Sequence, residues 1–404
     1  MQKIKPNFLT ALVIVSFSYD AIYNLQIMKS LYYSSVQYGF SITNTQVGEI
    51  FSICGICAMF AYLCGTFFQT RFSSKCLMTG SLTLLGGFSL FLSFLPPYPV
   101  LLIVFGLVGF LVNATFYPAY LSAMQNIGGP FHQGEAYAKF YIFSSIFGSV
   151  ISLAGFGVTS ASESPQTGLK YLLILFSILN FLSAVCTVLW FPSIPKAEKS
   201  GGLFDLRSLK IILRNKRFWL AGLIIFANYI NFSNLTYTLP YLTSEFHLPS
   251  SVVNAVTILR MYVVILVAAP IAGHITDKIQ SAVRLMKGAF ILYIFAMIPM
   301  IFLFRENAVG TLVCILLLCF FVSLGKSMSL VIVTETGLPP YLSGLAYSVI
   351  SFLAYSPDSF YYYLSGKTLD IAPINGFFYI FLISGIMATI GTFACQLFQK
   401  AQSK

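Results

Sequence analysis

The sequence predicts an all-α membrane protein with about twelve transmembrane helices, arranged as two six-helix bundles related by internal duplication. Three observations support this prediction. Apolar residues make up 57% of the 404 residues and charged residues only 9%, a composition too apolar for soluble domains. Apolar runs of about 20 residues, the length that crosses a bilayer as a helix, recur along the whole chain. Features of the first half also return in the second half, in the same order.

Each apolar run is predicted to form one spanning helix, because a helix satisfies its own backbone hydrogen bonds in lipid. In the first half the runs lie near residues 8–28, 46–68, 76–95, 100–121, 137–158 and 172–191. In the second half they lie near residues 218–241, 251–272, 286–304, 309–333, 342–365 and 377–398. Residues 1–191 and 218–404 are therefore predicted to be the two bundles, joined by a basic cytoplasmic linker at 192–217.

The duplication is indicated by matches that share an offset of about 210 residues. Each match alone is weak, and their common offset and order are the evidence. The matching pairs are Asn24-Leu25 with Asn234-Leu235, segment 65–78 with segment 273–286, and Gly134-x-Ala136-Tyr137 with Gly344-x-Ala346-Tyr347. A six-helix bundle repeated in one chain is the parallel-repeat plan of many membrane carriers.

Lysine and arginine predict the orientation, because short basic loops stay on the cytoplasmic side. With both termini cytoplasmic, the loops on that side hold most of the positive charge, including seven basic residues between Lys196 and Arg217. The net charge of +11 is thus explained by topology and does not indicate a nucleic-acid partner. The eight cysteines lie in or beside apolar runs and the three histidines lie in loops, so no disulfide framework, metal site or cofactor is expected.

Four charged residues stand out because they lie well away from the ends of predicted spans: Asp20, Arg260, Lys326 and Asp358. A charge at that depth indicates function unless it belongs to a structural ion pair, and an unpartnered guanidinium there costs roughly 2.5 kcal/mol or more. The planar fork of Arg260 suits a carboxylate or phosphate, whereas Lys326 supplies a point charge. We therefore predict Arg260 and Lys326 as substrate ligands. The alternative is a structural pairing of Asp20 with Arg260 or of Asp358 with Lys326.

Asp20 and Asp358 are predicted to take part in coupling, since a buried carboxylate can carry a proton or act as a fixed counter-ion. Five further polar residues on the same helical stripes, or on polar stripes of other spans, are predicted to contact the solute: Asn24, Asn228, Asn231, Tyr141 and Tyr355. Hydrogen bonding between helices, or ordinary packing, is the alternative for these residues. Pro357 removes a helical hydrogen bond and is expected to bend the eleventh span.

The loop after the eighth span reads Gly273-His274-Ile275-Thr276-Asp277-Lys278. It resembles the G-x-x-x-D-[RK] loop of the major facilitator superfamily, and with the duplicated spans the resemblance covers essentially the whole chain. The resemblance implies a gating role on the cytoplasmic side for Gly273, Asp277 and Lys278, and Glu335 is expected to be a gate contact near the end of the tenth span. The corresponding loop of the first half departs from the pattern, with Gln69 or Thr70 where the acid belongs.

An arginine midway along the eighth span with a lysine in the tenth is similar to bacterial carriers of small anions within that superfamily. The resemblance implies a secondary active transporter in the bacterial inner membrane that carries a small organic anion, such as a carboxylate or phosphate, by alternating access. Proton coupling or exchange would drive it, and one chain suffices as a monomer. A neutral or zwitterionic solute, or drug efflux, is the alternative. A membrane enzyme is disfavoured, because the sequence has no nucleophile constellation or nucleotide loop. A non-transporting receptor is disfavoured, because it would not need the polar stripes around Asp20 and Asn231.

Overall fold

The computed structural model of the protein describes residues 6–128, 133–192, 206–303, 306–329, 331–339, 342–373 and 375–402. Regular structure within these ranges is helical, as the sequence predicted. The chain divides into two compact units, Met1–Gly201 and Gly202–Lys404. Residues 193–205 of the predicted linker lie outside the described ranges.

The first unit is built from helices that pack side by side, and all but the short α2 belong to candidate membrane spans. Its helices are α1 (Pro6–Leu31), α2 (Tyr33–Gly39), α3 (Asn44–Arg71), α4 (Ser74–Leu92), α5 (Tyr98–Leu111), α6 (Tyr117–Gly128), α7 (Gln133–Ser160) and α8 (Pro165–Trp190). A π-helical turn at Val112–Phe116 joins α5 to α6, so the two form one continuous span. Six candidate membrane spans therefore lie in the described part of this unit, at the places the apolar runs predicted.

The second unit has the same general plan with more interruptions. Its helices are α9 (Leu206–Arg214), α10 (Lys216–Asn234), α11 (Thr238–Glu245), α12 (Ser250–Ile258), α13 (Val264–Ile279), α14 (Ala282–Phe302), α15 (Ala308–Met328), α16 (Val331–Thr334), α17 (Ser343–Ala354), α18 (Tyr361–Ile371) and α19 (Gly376–Gln402). A 3₁₀ segment, Leu235–Tyr237, follows α10, and a π-helical turn, Leu259–Val263, joins α12 to α13. The described residues give five long candidate spans and one shorter apolar helix, Leu345–Ala354.

The eleventh predicted span, 342–365, is not one continuous helix. α17 ends at Ala354, a 3₁₀ segment covers Ser356–Ser359, and α18 starts at Tyr361. Pro357 stands in the 3₁₀ segment and has no backbone N–H to continue the α-helical ladder. The proline therefore coincides with a break in the span, where the sequence predicted a bend.

Serine caps at equivalent places of the two units support the duplication. The side chain of Ser73 accepts a hydrogen bond from the amide of Cys76 at the start of α4, at 3.3 Å. Ser281 accepts one from the amide of Arg284 at the start of α14, also at 3.3 Å. The caps lie in the repeated segments 65–78 and 273–286. Each supplies a partner for an amide that the helix itself leaves unpaired.

Close packing of α3 against α5 depends on Gly109. A Cβ atom built at Gly109 would stand 2.1 Å from the backbone carbonyl oxygen of Cys54, so a side chain cannot be added without moving a backbone. Small residues allow spanning helices to approach in this way. By contrast, a Cβ built at Gly87 of α4 meets nothing within 4 Å.

We expect Gly109→Ala to destabilise the first unit by about 1 to 3 kcal/mol, the usual cost of overpacking. Gly87→Ala is the matched control, and it should be neutral or slightly stabilising because alanine has the higher helix propensity. Thermal unfolding of both purified variants in the same detergent measures the difference. Equal melting temperatures for the two variants would contradict the packing argument.

Candidate substrate and coupling sites

Arg260 lies where two irregular turns of the second unit meet. It belongs to the π-helical turn Leu259–Val263, and its side chain is only 2% exposed. The guanidinium Nη1 donates a hydrogen bond to the carbonyl oxygen of Leu235, the first residue of the 3₁₀ segment after α10. The Cys319 thiol donates to the backbone carbonyl of Arg260 at 3.3 Å. The buried cation is thus held beside a helix break, where carbonyl oxygens leave the α-helical ladder.

Lys326 and Asp358 belong to one network in the second unit. Lys326, on α15, is exposed, and its ammonium stands 3.4 Å from the centre of the Phe232 ring. It also interacts electrostatically with Asp358. The Asp358 carboxylate accepts hydrogen bonds from the Tyr229 hydroxyl at 2.8 Å and from Ser233 at 3.5 Å. The break in the eleventh span therefore places Asp358 against the same face of α10 that Lys326 contacts.

The two asparagines predicted on the seventh span differ in their surroundings. Asn228 is buried against α15, where its amide donates to the carbonyl of Val322 at 3.4 Å and its Oδ1 leaves no room for a Cβ at Gly325. This contact favours hydrogen bonding between helices for Asn228. Asn231 accepts from Ser384 at 2.9 Å, while its Nδ2 has no hydrogen-bond partner among the described residues. Asn231 keeps a donor for a water or a solute.

Tyr355 stands at the end of α17, with its ring 4.8 Å from the ring of Tyr229. Tyr229 is the residue that donates to Asp358. The predicted stripe of the eleventh span thus reaches the Lys326 network through an aromatic contact. Its role as a solute contact stays a prediction.

Asp20 lies inside the first unit, against α7. Its side chain is 7% exposed and is hydrogen-bonded to Ser144, while Oδ2 has no partner among the described residues. Ser16, one turn earlier, donates to the Phe140 carbonyl at 3.3 Å, so this side of α1 faces α7. Asn24, one turn later, is also buried with an unpartnered Nδ2 within the described ranges. Buried polar atoms without partners are uncommon and call for an explanation.

Tyrosine rings of α1 and α6 form a cluster in the first unit. The ring of Tyr19 lies 4.6 Å from Tyr23 and 5.2 Å from Tyr120, and Tyr120 lies 6.2 Å from Tyr117. Tyr141, the predicted solute contact on α7, is 51% exposed. Tyrosine offers an apolar face and a hydroxyl, which suits organic solutes.

The predicted gate residues lie near the end of α13 and after α16. Asp277 and Lys278 are exposed, Gly273 is half-buried, and a Cβ built at Gly273 meets nothing within 4 Å. Glu335 instead binds inside the second unit. Its carboxylate accepts from the Ala282 amide and, at 3.0 Å, from the Ser281 hydroxyl at the start of α14. A carboxylate at a helix start is stabilised by the unpaired amides and the helix dipole.

We expect Glu335→Ala to lower stability by about 1 kcal/mol, the usual value of a helix N-terminal cap. Asp277→Ala is the matched control, because it removes an exposed carboxylate near the same helix end. Thermal unfolding of both variants in detergent gives the comparison. If Glu335→Ala is as stable as Asp277→Ala but transport is altered, Glu335 acts only as a gate residue and not as a helix cap.

Several residues of these sites escaped the sequence prediction. Phe232, under the Lys326 ammonium, carries no polar signal, and Tyr229 and Ser233 were not distinguished from other polar residues of the seventh span. A signal was present for two of them, because Tyr229 and Ser233 are one turn apart and share a helix side. The π-helical turn at Arg260 has no sequence signature here.

Two duplicated bundles with charged side chains inside spanning helices define a membrane transporter, since charges at that depth mark solute or ion pathways. The chain belongs to the Major Facilitator Superfamily, whose family model matches residues 8–360. It is an integral membrane protein and a secondary transporter of small molecules, not an enzyme.

Relatives and solved structures agree with this assignment. The chain is 26% identical over 379 residues to the inner membrane protein YihN of Escherichia coli K12, covering 91% of this chain and 89% of that protein. It is 24% identical to the inner membrane protein YqcE of the same organism, covering 97% and 95% of the two chains. The nucleoside transporter NupG shares the fold with a TM-score of 0.72 at 16% identity, covering 99% of this chain and 100% of that one. An inward-facing bacterial homologue of the lysosomal transporter Spinster gives a TM-score of 0.70 at 12% identity, covering 98% and 94%.

Proposed function

We propose that the protein is a secondary active transporter of a small organic anion, bearing a carboxylate or a phosphate, in the bacterial inner membrane. Both termini are cytoplasmic, and the protein works by alternating access as a monomer. Transport is coupled to protons or proceeds by exchange. Arg260 binds the anionic group, and Lys326 adds long-range attraction.

The observation that carries this proposal is the burial of Arg260 at an irregular turn within a spanning helix. A permanently charged side chain is expensive at this depth, and π-helical turns are frequent at functional sites. A guanidinium carries five donors in a planar fork, a geometry that matches the two oxygens of a carboxylate or phosphate. The predicted mid-span charges of the second half are two cations and one acid, which also favours an anion.

A neutral or zwitterionic solute with a planar ring is the second candidate. The tyrosine cluster around Tyr19 and Tyr120 favours it, because aromatic faces stack on rings. NupG, one of the proteins with this fold, is a nucleoside transporter.

Proteoliposomes and pairs of solutes that differ only in charge distinguish the two candidates. Each carboxylate or phosphate is compared with its uncharged amide or ester, and nucleosides and sugars complete the panel. We expect saturable uptake, and a rise in the melting temperature of the purified protein, with an acid and not with its uncharged partner. Uptake of both members of a pair at equal affinity, or of nucleosides alone, would assign the second candidate.

Gating gives a separate prediction, which rests on the exposed Asp277 of the G-x-x-x-D-K motif; the sequence predicted a loop for this motif, and the structure places it in the last turns of α13. We expect Asp277→Asn to shift the population of access states toward cytoplasmic opening while solute binding persists. Thiol labelling of a cysteine introduced into the solute pathway, measured from each side, reports the shift. Unchanged labelling together with unchanged transport would remove Asp277 from the gate, and Asp370→Asn serves as a control for loss of an exposed acid.

A further inference from the structure

A long apolar groove lies on the surface of the first unit, between α1, α7 and α8. It has a volume of about 630 Å³ and is lined by residues that include Leu9, Val13, Phe17, Phe147, Cys186 and Trp190. Leu9 is 49% exposed and Trp190 60% exposed, so the groove opens outward along spanning helices. The medium that contacts an exposed apolar surface of a spanning helix is the acyl region of the bilayer.

One end of the groove lies at helix termini that carry positive charge. Lys139, near the start of α7, stands 5.7 Å from the ring of Phe8, which adjoins Leu9 on α1. On the other side, Lys75 donates a hydrogen bond to the carbonyl of Phe191, which follows Trp190 at the end of α8, at 2.8 Å. The ammonium groups of Lys139 and Lys75 therefore lie at the same end of the apolar groove.

We propose that this groove is a binding site for one anionic phospholipid of the surrounding bilayer. An acyl chain fills the groove along Phe17, Phe147 and Cys186. The phosphate lies at the charged end, where Lys139 and Lys75 attract it. Tryptophan is enriched at the level of lipid headgroups, which agrees with Trp190 at this end.

The positive charge at this end of the groove favours an anionic lipid over a second copy of the chain as the occupant. Cations beside anionic headgroups contribute about 1 kcal/mol each, whereas an apolar face of a second copy of this chain would gain nothing from them. The site is independent of the proposed solute, because Asp20, Arg260 and Lys326 are not among its lining residues.

Native mass spectrometry of the full-length protein in detergent tests the proposal. Phosphatidylglycerol and phosphatidylcholine with identical acyl chains are the two probes. We expect wild type to retain one phosphatidylglycerol molecule in preference to phosphatidylcholine. Cys186→Trp fills the groove and should reduce retention of both lipids at least about tenfold, because several methylene groups lose their burial.

Val188→Trp is the matched control, since Val188 is an exposed residue of α8 that does not line the groove. It should retain lipid as wild type does. Lys139→Gln should lower the preference for phosphatidylglycerol about fivefold, the value of one surface charge near anionic lipid. Val13→Trp on the opposite wall repeats the filling experiment if Cys186→Trp does not fold.

Equal retention by Cys186→Trp, Val13→Trp and Val188→Trp would overturn the site. A preference for phosphatidylglycerol that survives Lys139→Gln and Lys75→Gln together would overturn the assignment of the headgroup. If the wild-type protein is a dimer without bound lipid, and Cys186→Trp dissociates that dimer, the groove is instead a contact with a second copy of the chain.

Discussion

Replacing Arg260 by lysine is expected to lower the affinity for the transported anion at least about tenfold, although the positive charge remains. An ammonium is a point charge and cannot reproduce the two parallel hydrogen bonds of the guanidinium fork. Arg260→Ala should bind more weakly still, because charge-assisted hydrogen bonds contribute roughly 1.5 to 3 kcal/mol each. Isothermal titration or thermal-shift titration with the acid found in the solute screen measures both variants.

The structural role of Arg260 must be separated from its role in binding, because its guanidinium also donates to the Leu235 carbonyl. The melting temperature without ligand reports the structural role, and the dissociation constant reports binding. Arg284→Lys, at an exposed position of α14, is the matched control for the substitution itself. If Arg260→Lys binds the solute as tightly as wild type, or if the solute carries no negative charge, Arg260 is a structural residue.

Asp20→Asn is expected to abolish accumulation of the solute against its gradient while exchange of solute across the membrane continues. Asp20 is a buried acid on a spanning helix, with one oxygen bonded to Ser144 and Oδ2 without a partner among the described residues. A carboxyl group in that position can take up and release a proton, whereas an amide cannot. Proteoliposomes with an imposed pH gradient measure accumulation, and preloaded proteoliposomes measure exchange.

Glu163→Gln is the matched control, since it neutralises an exposed acid of the same unit. Asp358→Asn tests the second coupling candidate in the same two assays. Accumulation by Asp20→Asn that keeps the pH dependence of wild type would exclude Asp20 as the proton carrier. Loss of exchange as well as accumulation would instead assign Asp20 to solute binding or to the packing of α1 on α7.

The spans could be predicted because hydrocarbon imposes a length and a composition on every helix that crosses it. Ser73 and Ser281 lie in the repeated segments that the sequence predicted, and their caps are local contacts within a few residues. The break at Ser356–Ser359 was predicted only in part. Pro357 indicates where the helix is disturbed, but it does not decide whether the helix bends or ends there. α9 was missed because a short helix with alternating basic and apolar residues has the composition of a linker.

The candidate sites were less predictable than the spans, because helical periodicity gives the side of a helix and not the neighbour that it meets. Arg260 and Asp358 were identified by the cost of a buried charge, which is a property of one residue. Their partners Leu235, Tyr229 and Ser233 depend on how distant segments fold together. The same limit explains Glu335, whose contact with the start of α14 joins residues 53 positions apart.

The π-helical turn around Arg260 allows this site to be recognised or excluded in related sequences. Such a turn holds one residue more than an α-helical turn over the same backbone bonds, so removing that residue would restore a regular helix. The helix on either side would keep nearly its present orientation, because the wider turn has already absorbed the extra residue. A single-residue gap within Leu259–Val263 in a related gene would therefore mark a protein that keeps the packing of the flanking helix and lacks the irregular turn that holds the arginine.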